Sequence, residues 1–109
     1  MSAFVIFDID VHDPQAYEAY RRIGAPTVAA FGGRFLVRGG ETETLEGDWS
    51  PKRVVVLEFE SAERARAWYH STSYQEAKRL REGAAQTIGI LADGYAPAPA
   101  PVDAPAAAS

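Results

Sequence analysis

His70 is one of two histidines in the chain and stands beside Tyr69 and Ser71, four residues before Tyr74. An imidazole titrates near neutrality, so His70 suits proton transfer, with a hydroxyl from Tyr69 or Tyr74 assisting. The same residue also reads as a helix-end histidine on the surface. A second set is Arg34, Arg38, Asp8 and Glu58, placed by strand alternation on one side of a sheet with apolar neighbours. Charges on a surface that becomes covered must pair or bind something. Two guanidiniums can hold a carboxylate or carbonyl oxygen by forked hydrogen bonds, or the four groups can form an intersubunit ion-pair network. Trp49, in the turn Glu46-Gly47-Asp48-Trp49-Ser50-Pro51, either caps such a binding site or rims an interface.

Asp8, Asp10 and His12 alternate along one strand, with Asp13 adjacent. Neighbours on one strand face lie ~7 Å apart, too far for a tight cation site without a partner strand. Asp10 and His12 therefore read as strand-end solvation, and no metal site is expected. The pairs Gly32-Gly33 and Gly39-Gly40 lack both the phosphate-loop and the dinucleotide pattern.

The elements that must position these groups follow the order βαββαβ. Val5, Phe7, Ile9 and Val11 share one side of a first strand, with Phe4, Ile6, Asp8 and Asp10 on the other. Asp13-Pro14 caps a helix whose stripe is Tyr17, Tyr20, Gly24, Val28 and Phe31. Pro26 is expected to kink or divide it. A long second strand is expected from Arg34 past Gly39-Gly40 to Leu45, and a third from Arg53 to Glu60. Ser61 caps a short helix that turns Ala65, Trp68 and Tyr69 inward. His70-Ser71-Thr72 interrupts it, and Ser73 with Glu76 has the spacing of a capping box for a second piece with Tyr74, Ala77, Leu80 and Ala84 on its stripe. A last strand spans roughly Thr87 to Ala92. Residues 1–95 form one domain, and the Pro/Ala-rich residues 96–109 are expected to be disordered.

This order gives an α+β, ferredoxin-like antiparallel sheet of order 4-1-3-2, with its helices on one side. The other side carries Phe4, Ile6, Leu36, Val54 and Val56, and a second copy is the economical cover. A net charge of −4, with nine Arg and two Lys scattered along the chain, gives no basic field for nucleic acid. The absence of cysteine fits a reducing compartment. The start Met1-Ser2-Ala3-Phe4 has no basic segment before an apolar run, and no stretch approaches the ~18 apolar residues of a membrane span. A cytoplasmic location without membrane association is expected.

The run GGRFLVRGG, followed by EGDW, RVVVLEFES and AWYHSTSYQEAKRLREGAA, resembles the domain-of-unknown-function 1330 family of the dimeric α+β barrel superfamily. The likeness covers about residues 3 to 95. That family usually has proline after the His-Ser equivalent, where this chain has Thr72. The resemblance implies a ferredoxin-like subunit that pairs into a barrel, with a cavity between sheet and helices or between subunits. It implies no agreed reaction, since the superfamily spans cofactor-free monooxygenases, isomerases and haem proteins. The expected function is binding of a small molecule without a cofactor, with conversion of a small organic acid or carbonyl compound if the protein is an enzyme. The alternative is a non-catalytic homodimeric module whose charged face serves assembly.

Overall fold

The computed structural model describes residues 2–95; the expectation for the tail at 96–109 lies outside them. The elements are β1 (Ala3–Val11), α1 (Pro14–Ala30), β2 (Arg34–Arg38), β3 (Val54–Phe59), α2 (Ala62–Tyr69), α3 (Thr72–Glu82) and β4 (Ala85–Asp93). They build one antiparallel sheet of order β2-β3-β1-β4, with the helices packed on one face. The fold is the α+β, ferredoxin-like one that the element order dictates.

Alternation explains the core. Ala3, Val5, Phe7 and Ile9 of β1 and Val55, Leu57 and Phe59 of β3 are buried under the helices, while their strand neighbours are only half-buried. The helices cover that face with Tyr17 and Val28 from α1, Ala65 and Trp68 from α2, and Tyr74 and Ala77 from α3. Asp13 caps α1 by accepting from the Ala16 amide, and Ser61 caps α2 by accepting from the Arg64 amide. Among the described residues no helix is long and apolar enough to cross a membrane.

The structure corrects several sequence expectations. Pro26 does not divide α1, which runs unbroken to Ala30. Gly24, two residues earlier, lets that segment seat closely against Tyr20 and the Ala77 methyl of α3, so tertiary packing outweighs one missing hydrogen bond. The cap of α3 is Ser71, not Ser73: its hydroxyl accepts from the Tyr74 amide and donates to the Trp68 carbonyl, closing one helix and opening the next. Leu80 is more than one-third exposed, and Arg81 takes the buried place expected for it.

The largest correction concerns β2. The strand ends at Arg38 and does not continue to Leu45. Gly39 makes a last ladder bond to the Val54 carbonyl at 2.8 Å and adopts φ +74, a turn that favours glycine. Within β2, the step from Phe35 to Val37 faces the single step from Leu57 to Val56, so Leu36 is an extra, bulged residue. A bulge reverses face parity beyond it. Arg34 lies opposite Glu58 on the outer face, but Arg38 lies opposite Val55 and therefore on the helix face, not beside Arg34 as simple alternation places it.

Candidate functional site

β4 is an edge strand that the helices cover incompletely. Between its helix face and the end of α2 lies a cleft of about 350 Å³, bordered by Phe7, Tyr69, His70, Arg81, Thr87 and Leu91. That volume suits a small organic ligand. Gly89 shapes its floor: a Cβ there would run into the Phe7 ring, so only glycine lets that ring lie against the strand.

Arg81 is the unusual group. It is 5 % exposed, and its Nη1 donates to the Tyr74 hydroxyl at 2.6 Å. The guanidinium also lies 5.1 Å from the centre of the Phe7 ring and 5.5 Å from that of Tyr20. Among the described residues the ion pairs are Arg21–Glu18, Arg34–Glu58 and Lys78–Glu82, so Arg81 has no carboxylate partner. None of the residues lining the cleft is acidic, and Arg66 adds a second guanidinium at its edge. A buried cation without a counter-ion is costly unless something supplies the missing acceptor. The Thr87 hydroxyl, also on the lining, is buried and unpartnered. Burial pushes the Tyr74 hydroxyl well above the ordinary tyrosine range, against the pull of Arg81, so Tyr74 is a neutral phenol that can give or accept a hydrogen bond but not serve as a ready base. Its oxygen lies 3.0 Å from that of Tyr20, forming a chain Tyr20–Tyr74–Arg81 under the helices.

The candidates read from sequence separate into four places. His70 ends α2 and is exposed at the rim of the cleft, its ring 5.3 Å from that of Tyr69 in an edge-on arrangement. Tyr74 is fully buried behind Arg81. On the outer face, Arg34 Nε donates to Glu58 at 2.7 Å, and that bond, together with one from Ser2, holds the Glu58 carboxyl below the usual range. Asp8 organises the 39–53 segment: its carboxylate accepts from the Trp49 indole at 3.0 Å and from the Lys52 and Arg53 amides at 2.9 and 3.3 Å. Desolvation works to raise its pKa, but these three bonds and the Lys52 charge outweigh it, and the carboxyl sits below its ordinary value. Trp49 is thereby tied to Asp8 while remaining half-exposed. Arg38, moved by the bulge, lines a different cavity from His70. Among the described residues no cluster of three or more acidic or histidine side chains could hold a metal ion.

Arg81 escapes a reading based on polar residues alone, yet a signal exists. Tyr74, Ala77 and Arg81 fall three and four residues apart, so a charge occupies the stripe that α3 turns to the sheet.

A family model described as "Domain of unknown function (DUF1330)" matches residues 2–95. No functionally curated protein matches the sequence. Among solved structures, the chain is similar to RPA0582, a protein of unknown function from Rhodopseudomonas palustris, with 21% identity over 88% of this chain and 84% of that one and a TM-score of 0.68. It is similar to SnoaB, described as a cofactor-independent oxygenase from Streptomyces nogalater, with 14% identity over 91% and 97% and a TM-score of 0.54. A protein from Bacteroides fragilis, described as dimeric and of ferredoxin-like fold, shares 7% identity over 85% and 96%, with a TM-score of 0.57.

Proposed function

The chain belongs to the DUF1330 family, and from that premise we propose that the cleft between α2 and β4 binds a small organic anion, the carboxylate or enolate form of an acid or carbonyl compound. The observation that carries this reading is Arg81, buried without a carboxylate partner in a cleft that has no acidic lining. A forked guanidinium is suited to an oxygen pair, and Tyr74 holds it in place from behind. The Phe7 ring and Leu91 offer the ligand body an apolar wall. If the bound compound is converted, His70 is the group at the mouth that takes a proton from the carbon beside the carbonyl, and Arg81 steadies the oxygen that gains charge. Tyr69, beside His70, orients that ring. No bound cofactor is required by this scheme, and the neighbour SnoaB is described as cofactor-independent.

Calorimetric titration with benzoate and with pyruvate tests the proposal. One saturable site per chain is the expected result, with amide signals of His70, Gly89 and Leu91 moving as it fills. Absence of saturable binding by either acid would sink it. His70→Ala should retain binding and lose any turnover.

The second reading, a non-catalytic module, draws support from the outer face, where Arg34, Glu58 and Asp8 are all engaged within the chain. We assign that face to a second copy. Ile88 and Ile90 stand on it at 69% and 63% exposure, opposite Asp8 and Ile6 of β1, and Val37 lies exposed on β2. One self-complementary sheet face suffices for a two-fold pair. Sedimentation equilibrium at micromolar concentration should return twice the chain mass, falling toward the single-chain mass for Ile88→Lys with Ile90→Lys. A wild-type monomer overturns the assignment without touching the anion cleft.

A further inference from the structure

A second cavity lies on the other side of Tyr20, between α1 and the β2–β3 part of the sheet, and three guanidiniums border it: Arg21 from α1, Arg38 from β2 and Arg53 from the strand-entry segment. The bulge at Leu36 is what brings Arg38 there, because without it this side chain would face outward. Arg38 stacks 4.2 Å from the centre of the Phe35 ring, and Arg53 lies 5.6 Å from that of Tyr17. Gly39 lets the Arg53 guanidinium lie directly against the backbone at the end of β2, since a side chain there would collide with it. The Nε atoms of both Arg21 and Arg53 are buried and have no hydrogen-bond partner. One acid, Glu18, reaches Arg21 through Nη1 at 3.1 Å, with both side chains more than one-third exposed. Arg38 and Arg53 take part in none of the ion pairs among the described residues.

Two buried N–H donors without acceptors carry a desolvation penalty that an incoming oxygen would remove. The enclosed space is about 30 Å³, enough for a group the size of a water molecule. An oxygen of an anionic head can enter it, while the rest of the ligand stays at the mouth. Three guanidiniums with one acid among them favour two negative charges over one. We propose that this cavity is a binding site for a dianionic oxyanion, a phosphate group, distinct from the carboxylate cleft at Arg81.

The test uses ¹⁵N-labelled full-length protein, following the arginine Nε–H signals while inorganic phosphate or phenyl phosphate is added, with chloride as the ionic-strength control. The Nε–H signals of Arg21 and Arg53 are expected to shift saturably with phosphate and not with chloride. Saturation by both compounds identifies a phosphomonoester head as acceptable; saturation by inorganic phosphate alone restricts the site to the free ion. Arg38→Gln alters an exposed edge residue and should weaken phosphate about tenfold or more, while benzoate binding at the Arg81 cleft stays unchanged. Unmoved Arg21 and Arg53 signals overturn the proposal, as do shifts confined to the Arg81 cleft or wild-type phosphate affinity in Arg38→Gln. Because benzoate reports on one cavity and phosphate on the other, either assignment can fail alone.

Discussion

Arg81→Met is expected to weaken benzoate binding about 100-fold, the loss of a charge-assisted hydrogen-bond pair worth up to about 3 kcal/mol, while leaving the denaturation midpoint unchanged or raised. The two halves of this expectation come from the same fact. Arg81 is buried without a carboxylate, so its charge is a cost to the folded state that an unbranched apolar side chain of similar length does not impose. Tyr74 does not become an orphan in the variant, since its hydroxyl keeps Tyr20 at 3.0 Å. The Phe7 and Tyr20 rings that flank the guanidinium will pack against a thioether as readily. A residue kept at a cost to stability and essential for a ligand has the signature of a functional group. Arg81→Lys should fall between the two, retaining charge without the planar fork. Titration calorimetry and urea unfolding on the same preparations decide it: wild-type affinity in Arg81→Met removes the anion site, and a steep loss of stability makes Arg81 a structural residue.

The fold is legible in the sequence and the burial of Arg81 is not, for a physical reason. Strand order and helix placement follow from side-chain periodicity, which β1 and β3 display without interruption, and from caps at Asp13 and Ser61 whose chemistry is local. The site depends on departures from periodicity. Leu36 sits in a run that alternates cleanly, and nothing in the types Arg34-Phe35-Leu36-Val37-Arg38 says that one residue is unpaired. That single insertion transfers Arg38 from the face of Arg34 to the opposite one, and so divides the two arginines between an outer ion pair and an inner cavity. Leu80 and Arg81 both neighbour the α3 stripe, and hydrophobicity alone favours Leu80 for the interior. The tyrosine hydroxyls and aromatic faces that make Arg81 acceptable inside come from α1, β1 and α3, and only tertiary structure assembles them. Asp8 shows the same limit from the other side: a carboxylate that looked like ligand chemistry is occupied by the Trp49 indole and two amides of a segment more than forty positions away.

The largest loss of stability is expected for Trp68→Ala, about 3–5 kcal/mol, against a total of roughly 5–15 kcal/mol for a domain of this kind. Trp68 is 1% exposed and touches every layer around it. Its ring centre lies 4.1 Å from that of Tyr74 on α3 and 5.3 Å from that of Phe59 on β3, and its indole N–H donates to the Thr27 hydroxyl of α1 at 2.9 Å. Thr27 passes that bond on to the Gly24 carbonyl at 2.6 Å, where α1 packs against Ala77 of α3. Removing the indole therefore opens a cavity between sheet and helices and also leaves a buried hydroxyl short of a donor. Trp68→Phe separates the two effects: it keeps most of the ring volume and should cost about 1–2 kcal/mol, chiefly the lost hydrogen bond. The carboxylate cleft feels the same change at one remove, since Tyr74, which stacks on Trp68, is the group that fixes Arg81. Trp68→Phe should accordingly loosen benzoate binding only slightly, whereas Trp68→Ala, if still folded at low temperature, should lose it along with the fixed Tyr74 ring. Chemical denaturation of the two variants beside wild type measures the difference, and a Trp68→Ala protein as stable as Trp68→Phe would show that this ring is not the junction of α1, α3 and β3.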